Sequence, residues 1–491
     1  MAGSDTIAAL ATAQGTGGIA IIRMSGKEAK TVLSRVFTFN GNSLPTLPDF
    51  VPRHMHYGIV TAPDGSTIDD VLAVFMSGPR SATGEDVAEI HCHGGIAISR
   101  AILDAVFAAG ARPAGPGEFT RRAFLNRRID LTQAEAVAEA IAASTLEGAR
   151  LARAKMEGAL GLAVASLRSS LDRLRVLATV CVDFDEEAGD TLLETMAATT
   201  DEALRRIDSL LASYDRARLW REGASAVLAG QVNAGKSSLL NALLGRERAI
   251  VSATPGTTRD YLEETILIHG IPMRVTDTAG LRMGTDSVEE EGIRRAEQLC
   301  AEADVLLLVV DATRGAGEAE RAFVERHARQ KLIVLLNKVD ALAPLSSLPL
   351  KAHNETGLDS LPPARVTLHQ YEQAVQNTRN TLFPDGSGSV LPVSAKQGYG
   401  LQALCDALGE ALRQDLPATG SDAAPNARQH RLLCLAREEL VALKTDMESG
   451  MPVDILCVRL DAAVLHCDEI TGVSSNDAIL GTIFSSFCIG K

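Results

Sequence analysis

Three short stretches carry residues whose types and spacing suit phosphate and purine chemistry. Gly230 to Ser237 reads GQVNAGKS, fitting GxxxxGK[ST], and it stands between the strand-like SAVLA and the helical SLLNALLG. Glycines in such a loop let backbone N–H groups approach phosphates, and the following helix N-terminus adds partial positive charge. Asn233, Ala234, Gly235, Lys236, Ser237 and Ser238 are the candidate phosphate residues, with Lys236 reaching the β- and γ-phosphates and the Ser237 hydroxyl ligating Mg²⁺. Asn337 to Asp340 reads NKVD at the end of LIVLLN, and Ser394 to Lys396 reads SAK after VLPV. An ionised Asp340 is an acceptor with two oxygens. It matches the N1–H and exocyclic amine of guanine, whereas adenine offers no such pair. The Ala395 N–H suits the guanine oxygen, and Lys338 suits packing over the base. Asn337, Ser394 and Lys396 complete the base-recognition set.

Two further stretches fit parts that sense the γ-phosphate. SATPGTTRD contributes Ser252, Ala253, Thr254, Pro255, Gly256, Thr257 and Thr258, the last as a second Mg²⁺ ligand ordered by that phosphate. DTAG contributes Asp277, which supports the Mg²⁺ shell, then Thr278, Ala279 and Gly280, whose N–H can meet the γ-phosphate. Proteins of the Ras type place a glutamine after that glycine to orient the attacking water. Here Leu281 follows, and a leucine cannot hold a water. An amide oxygen from Asn233 could help bind a monovalent cation where an arginine finger otherwise places its charge, an effect of about 10³–10⁵ in rate. Oxygens of Ser252 to Thr257 could complete that shell. Glu289, nine residues beyond Gly280 in SVEEEG, could reach back to the water directly or through a bridging water. The competing readings are a turn-forming asparagine and a solvated acidic helix start.

The elements that must position these residues fall into three kinds of sequence. Residues 1–125 mix short β-like runs with Gly and Pro punctuation and one helical pattern, AISRAILDAVFAAG, as in an α+β domain. Residues 126–221 carry Ala, Leu, Val and Ile at helical spacing, opened by a Thr132/Glu135 capping box and broken at CVDFDEEAG. Residues 222–415 alternate strands and helices in the manner of a doubly wound α/β sheet. Helical character returns over 416–491, so the α/β unit reads as an insertion whose two helical flanks pair into one bundle. Residues 341–390 are loop-rich and polar and read as a peripheral insertion.

Over 491 residues, 46% are hydrophobic and 22% charged, giving ample core, while the net charge of −14 argues against polyanion binding over the whole surface. The basic cluster Arg121, Arg122, Arg127 and Arg128 suits nucleic-acid phosphates or, at least as well, a solvated loop. The eight cysteines contain no CxxC pair, and MAGSDTIAAL has neither basic n-region nor long apolar core. No membrane span is expected, and a reducing cytoplasm is the straightforward location. His91 and His93 alternate on a strand and could mimic a metal pair, but no third ligand suggests itself.

DTAGLR with the downstream VE, GQVNAGKSSLLN, PGTTRD, RMSG, TGEDVAEIHCHGG, PGEFTRRAFLN, DLTQAEA and the closing FCIGK together resemble the tRNA modification GTPase MnmE (TrmE) family over essentially the whole chain. The resemblance implies an N-terminal folate-binding domain that drives homodimer formation. It also implies a helical domain built from both flanks and an inserted Ras-like P-loop G domain that hydrolyses GTP in a potassium-dependent way. It implies partnership with FAD-containing MnmG in a heterotetramer or larger complex that modifies carbon 5 of the wobble uridine of certain tRNAs. Asn233, Ser252, Thr254 and Thr257 fall where the family binds potassium, Ser237 and Thr258 on its magnesium positions, and Glu289 on its catalytic glutamate. Arg23, Glu85, Arg128 and Lys491 correspond to contacts with 5-formyltetrahydrofolate or a related folate, Arg128 standing where some members carry lysine. Cys488 is read either as a thiol taking part in the modification chemistry or as a small buried apolar residue. Two other functions stand beside this one: a ribosome-assembly GTPase, which should carry a basic RNA-binding module, and a GTP-dependent switch that regulates a partner without modification chemistry.

Overall fold

The computed structural model describes the chain except for residues 1–4, 40–49, 184–185, 222, 247–262, 278–285, 344–363, 387, 414–422, 475–476, 486 and 491. It divides into two compact units: Met1–Ala142 with Leu151–Leu211 and Asp422–Lys491, and Ala143–Arg150 with Ala212–Ser421.

The first unit begins with β1 (Ile7–Leu10), β2 (Ile19–Ser25), α1 (Ala29–Val36), β3 (Phe37–Phe39), β4 (His56–Thr61), β5 (Thr67–Met76), β6 (Val87–His93), α2 (Ile96–Ala108) and β7 (Arg112–Pro113). The strands form one sheet in the order β3-β4-β5-β6-β2-β1-β7, antiparallel except for the β1–β7 pair. Alternation on β6 sends Ala88, Ile90 and Cys92 into the core with Val32, Leu33, Ile102 and Val106 of α1 and α2. His91 and His93 lie on the opposite face, His91 3.4 Å from Glu89 and His93 2.7 Å from Asp69. Among the described residues no cluster of three or more His, Cys, Asp or Glu is placed to hold a metal ion. Besides α2, the region holds α1 and then α3 (Glu118–Leu125), two eight-residue helices too short for a convincing periodic signal.

Helices follow: α4 (Leu131–Ala142), α5 (Leu146–Met156), α6 (Ala159–Asp183) and α7 (Glu186–Arg221). The expected capping box moves two residues upstream. Asp130 accepts from the Gln133 N–H at 2.9 Å while the Gln133 side chain accepts from the Asp130 N–H at 3.0 Å. Glu135 is thereby left to face inward.

The second unit is an α/β sheet of β8 (Ala224–Ala229), β9 (Glu263–Ile268), β10 (Ile271–Asp277), β11 (Val305–Asp311), β12 (Leu332–Asn337) and β13 (Val390–Pro392). Its order is β13-β12-β11-β8-β10-β9, parallel apart from the antiparallel β9–β10 pair. Between the strands run α8 (Lys236–Arg246), α9 (Asp286–Glu302), α10 (Glu318–Arg326) and α11 (Ala364–Leu382), and α12 (Leu401–Arg413) follows β13. Leu307 and Val309 of β11 pack with α8 and α12 on one face, and Leu308 and Val310 with α10 and α11 on the other. Burial on both faces explains the unbroken apolar run VLLLVVD. The stretch 341–390 is less peripheral than its composition suggests. Its α11 buries Tyr371, Thr378 and Leu382 at helical spacing, Tyr371 and Leu382 joining the core beside β13. A buried face that mixes Tyr371 and Thr378 with a few apolar residues gave a weak apolar signal.

The chain then returns to the first unit as α13 (Ala427–Glu448), α14 (Val453–Thr471) and α15 (Asp477–Ser485). Leu160, Val164, Leu167, Leu171, Leu174 and Ala178 recur every three or four residues along α6 and meet Leu433, Ala436, Leu440 and Leu443 of α13 and Leu456, Leu460, Ala463 and Cys467 of α14. A buried polar set ties the same flanks. Lys155, 1% exposed, donates to Glu139 at 2.7 Å and to Gln429 at 3.2 Å, while Arg428 grips Glu135 at 2.7 and 2.9 Å. Among the described residues no helix is long and apolar enough to cross a membrane. Leu171→Ala should lower stability by about 2–5 kcal/mol through lost burial and a residual cavity. Denaturant unfolding should report this loss while labelled nucleotide still binds the separate second unit.

Candidate functional site

The carboxyl ends of β8, β10, β12 and β13 bring the motifs together, the place where open α/β sheets hold ligands. The loop after β8 turns through Gly230 (φ 133°), Asn233 (φ 66°) and Gly235 (φ 96°) before α8 begins at Lys236. Two close approaches require the glycines. A Cβ on Gly230 would stand 2.2 Å from the Val309 carbonyl oxygen, and one on Gly235 2.3 Å from the Asn337 amide nitrogen.

Asn337 is the hub. It is 2% exposed; its Nδ2 donates to the Ala234 carbonyl at 2.9 Å, and its Oδ1 accepts from the Ala395 N–H at 3.1 Å. One carboxamide thus spans the phosphate loop and the base loop. Ser394 Oγ donates to Asp340 Oδ1 at 2.6 Å, orienting the carboxylate meant for guanine. Lys338 (φ 67°) donates to the Asn233 carbonyl at 2.6 Å and to Asp311 Oδ2 at 2.7 Å. Lys236 is buried, its ammonium held by the Gly230 and Gln231 carbonyls at 2.8 and 2.9 Å. Ser237 Oγ donates to Asp277 Oδ2 at 2.8 Å. A hydroxyl beside a buried carboxylate is a hard-oxygen donor set that fits Mg²⁺. Ser237, Ser238 and Lys396 are exposed.

Asp311 is the residue that motif reading missed. Burial pushes its carboxyl up, but bonds from Lys338 and from the Thr313 N–H and hydroxyl outweigh this and hold it below the ordinary carboxylate range. The available signal was an aspartate closing an otherwise apolar strand.

In the first unit, Arg23, Glu85, Arg128 and Cys488 each touch α3 or the turn that precedes it. The Arg23 guanidinium lies 6.0 Å from the Phe119 ring centroid and donates to Glu89 at 2.8 Å. Glu85 accepts from Ser25 at 2.8 Å and from Arg122 at 3.1 Å. Arg128 is exposed, its backbone N–H bonded to the Ala123 carbonyl at 2.8 Å. The Cys488 carbonyl accepts from the Gly117 N–H at 3.4 Å, and Ile489 pairs with Pro116. Cys488 is exposed, so the buried apolar reading fails. Arg122 is a correction of another kind. It is 4% exposed and bonded to Asp5, Glu85 and Glu118 at 2.9, 3.1 and 3.1 Å, which makes it an internal cation and removes it from any surface phosphate patch.

The chain's matches agree with this layout. The family model described as GTP-binding protein TrmE N-terminus matches residues 6–128, and that of the MnmE helical domain matches residues 131–488. The tRNA modification GTPase MnmE of Nitratidesulfovibrio vulgaris (strain DP4) is 46% identical over 495 residues, covering 99% of both chains. The chain belongs to the MnmE family. The MnmE of Lawsonia intracellularis (strain PHE/MN1-00) is 40% identical over 99% of this chain and 100% of its own. A crystal structure of an Aquifex aeolicus Era variant bound to GDP.AlF4- matches with 23% identity over 45% of this chain and 67% of that chain, at a TM-score of 0.27, and adds nothing to the assignment.

Several residues expected from the MnmE resemblance lie outside the described ones: Ser252, Ala253, Thr254, Pro255, Gly256, Thr257, Thr258, Thr278, Ala279, Gly280 and Lys491. Glu289 falls within α9, its side chain likewise outside the described part. For this MnmE-family chain, Asn337→Ala should weaken guanine-nucleotide binding roughly ten- to hundredfold. It strips two backbone groups of their partner at about 1–3 kcal/mol. Titration with fluorescent GDP checks the value.

Proposed function

We propose that the chain is a potassium-dependent GTPase that works as a homodimer with FAD-containing MnmG to modify carbon 5 of the wobble uridine of certain tRNAs. The observation that carries the reading is the Asn337 bridge, which brings GQVNAGKS, NKVD and SAK to one end of the sheet within a chain related to MnmE proteins over nearly its full length. In this reading the P-loop amides and Lys236 bind the phosphates, and Asp340 and the Ala395 N–H select guanine. Ser237 and Thr258 hold Mg²⁺, with Asp277 supporting its shell. Asn233, exposed on its turn, is available to a monovalent cation with Ser252, Thr254 and Thr257. The cation supplies positive charge beside the β- and γ-phosphates. Glu289 positions the attacking water, the task Leu281 cannot perform. Arg23, Glu85, Arg128 and Lys491 hold the folate, with the Cys488 thiol beside it. The cytoplasm is the proposed location.

Hydrolysis measured in potassium and in sodium at equal ionic strength tests the G-domain half. Strong stimulation by potassium is expected, and Glu289→Ala should lower kcat by on the order of 10²-fold or more. Equal slow rates in both salts, unchanged by the substitution, would leave a GTP-binding switch instead. Cys488→Ser should keep hydrolysis and lose tRNA modification, with folate binding measured alongside. Retained modification would remove the thiol from the chemistry.

A further inference from the structure

The geometry points to Asp311 as a positioning residue of the nucleotide site, acting through Lys338 on the turn that presents Asn233. The inference rests on the reading of this site as one for GTP.

Its basis is a three-residue chain of contacts. Asp311 closes β11 in register with Asn337, the last residue of β12. Its Oδ1 is fixed by the Thr313 N–H at 2.9 Å and the Thr313 hydroxyl at 2.7 Å, which aims Oδ2 at the Lys338 ammonium, 2.7 Å away. The same ammonium donates to the Asn233 carbonyl at 2.6 Å. Arg53, Arg127, Asn233, His269 and Lys338 are the non-glycine residues with positive φ among those described, and two of the five meet in this one contact. A left-handed backbone at Asn233 and Lys338 persists only where surroundings over-determine it. The lysine stem is flexible, and an ammonium alone holds no fixed direction. The buried carboxylate supplies that direction. Asp311 therefore fixes how the phosphate loop offers its amides, and where Asn233 stands relative to a cation bound beside them.

Asp311→Asn keeps an oxygen for Thr313 and removes the charge that holds Lys338. With melting temperature unchanged, the dissociation constant for methylanthraniloyl-GDP should rise about tenfold, or about 1.4 kcal/mol, mostly through faster dissociation. The potassium concentration giving half-maximal hydrolysis should rise, while kcat at saturating nucleotide and potassium stays within about twofold. Lys338→Met should reproduce the weaker binding even where Asp311→Asn folds poorly. The double variant should be no weaker than Lys338→Met alone, because both act through one contact. Wild-type dissociation kinetics in stable Asp311→Asn protein, or additive losses in the double variant, would overturn the inference. A wild-type protein that fails to bind the labelled GDP would overturn the nucleotide reading itself.

Discussion

Phosphate recognition and base recognition come from loops far apart in sequence, and a nucleotide can be gripped only if their spacing is fixed. The Asn337 carboxamide fixes it: its nitrogen donates to the Ala234 carbonyl and its oxygen accepts from the Ala395 N–H. The carboxamide itself is buried, so neither loop can drift without leaving one of its polar atoms unpaired. The rest of the second unit serves this bridge. The apolar β11 and β12 set the height at which Asn337 emerges, and Gly235 lets the phosphate loop come close enough to be tied.

The first unit meets a different constraint, because its bundle is assembled from two flanks separated by the α/β unit. Heptad-like leucines on α6 find partners on α13 and α14, and the Glu135–Arg428 and Lys155–Gln429 contacts add direction to packing that apolar surfaces leave permissive. Hydrophobic burial supplies most of the stability there. These contacts select one register, since any slip between the flanks would part Arg428 from Glu135 and Gln429 from Lys155.

Legibility followed the range of the interaction. GQVNAGKS, NKVD and SAK each place their chemistry within a few residues, and β11 announced itself because both faces are buried. The architecture of α+β region, helical flanks and inserted α/β unit was therefore readable. Asp311 was not, because its role depends on Lys338 across a neighbouring strand. Arg122 looked like part of a surface cluster, since nothing local reveals that Asp5 and Glu85 converge on it. Thr132 offered a plausible cap, yet Asp130 and Gln133 formed the closer reciprocal pair. Helix α11 diluted its buried face with tyrosine and threonine.

The divided bundle also has a consequence for how the protein is made. Chains emerge at about 5–20 residues per second. Leu210 and Leu432 belong to one core cluster, and the roughly 220 residues between them take on the order of 10–45 s to synthesise. Throughout that interval the leucines of α6 lack their partners on α13 and α14, while the α/β unit that divides the two flanks is being made. The first flank therefore waits half-built for its partner helices, and the timing of translation becomes part of its assembly.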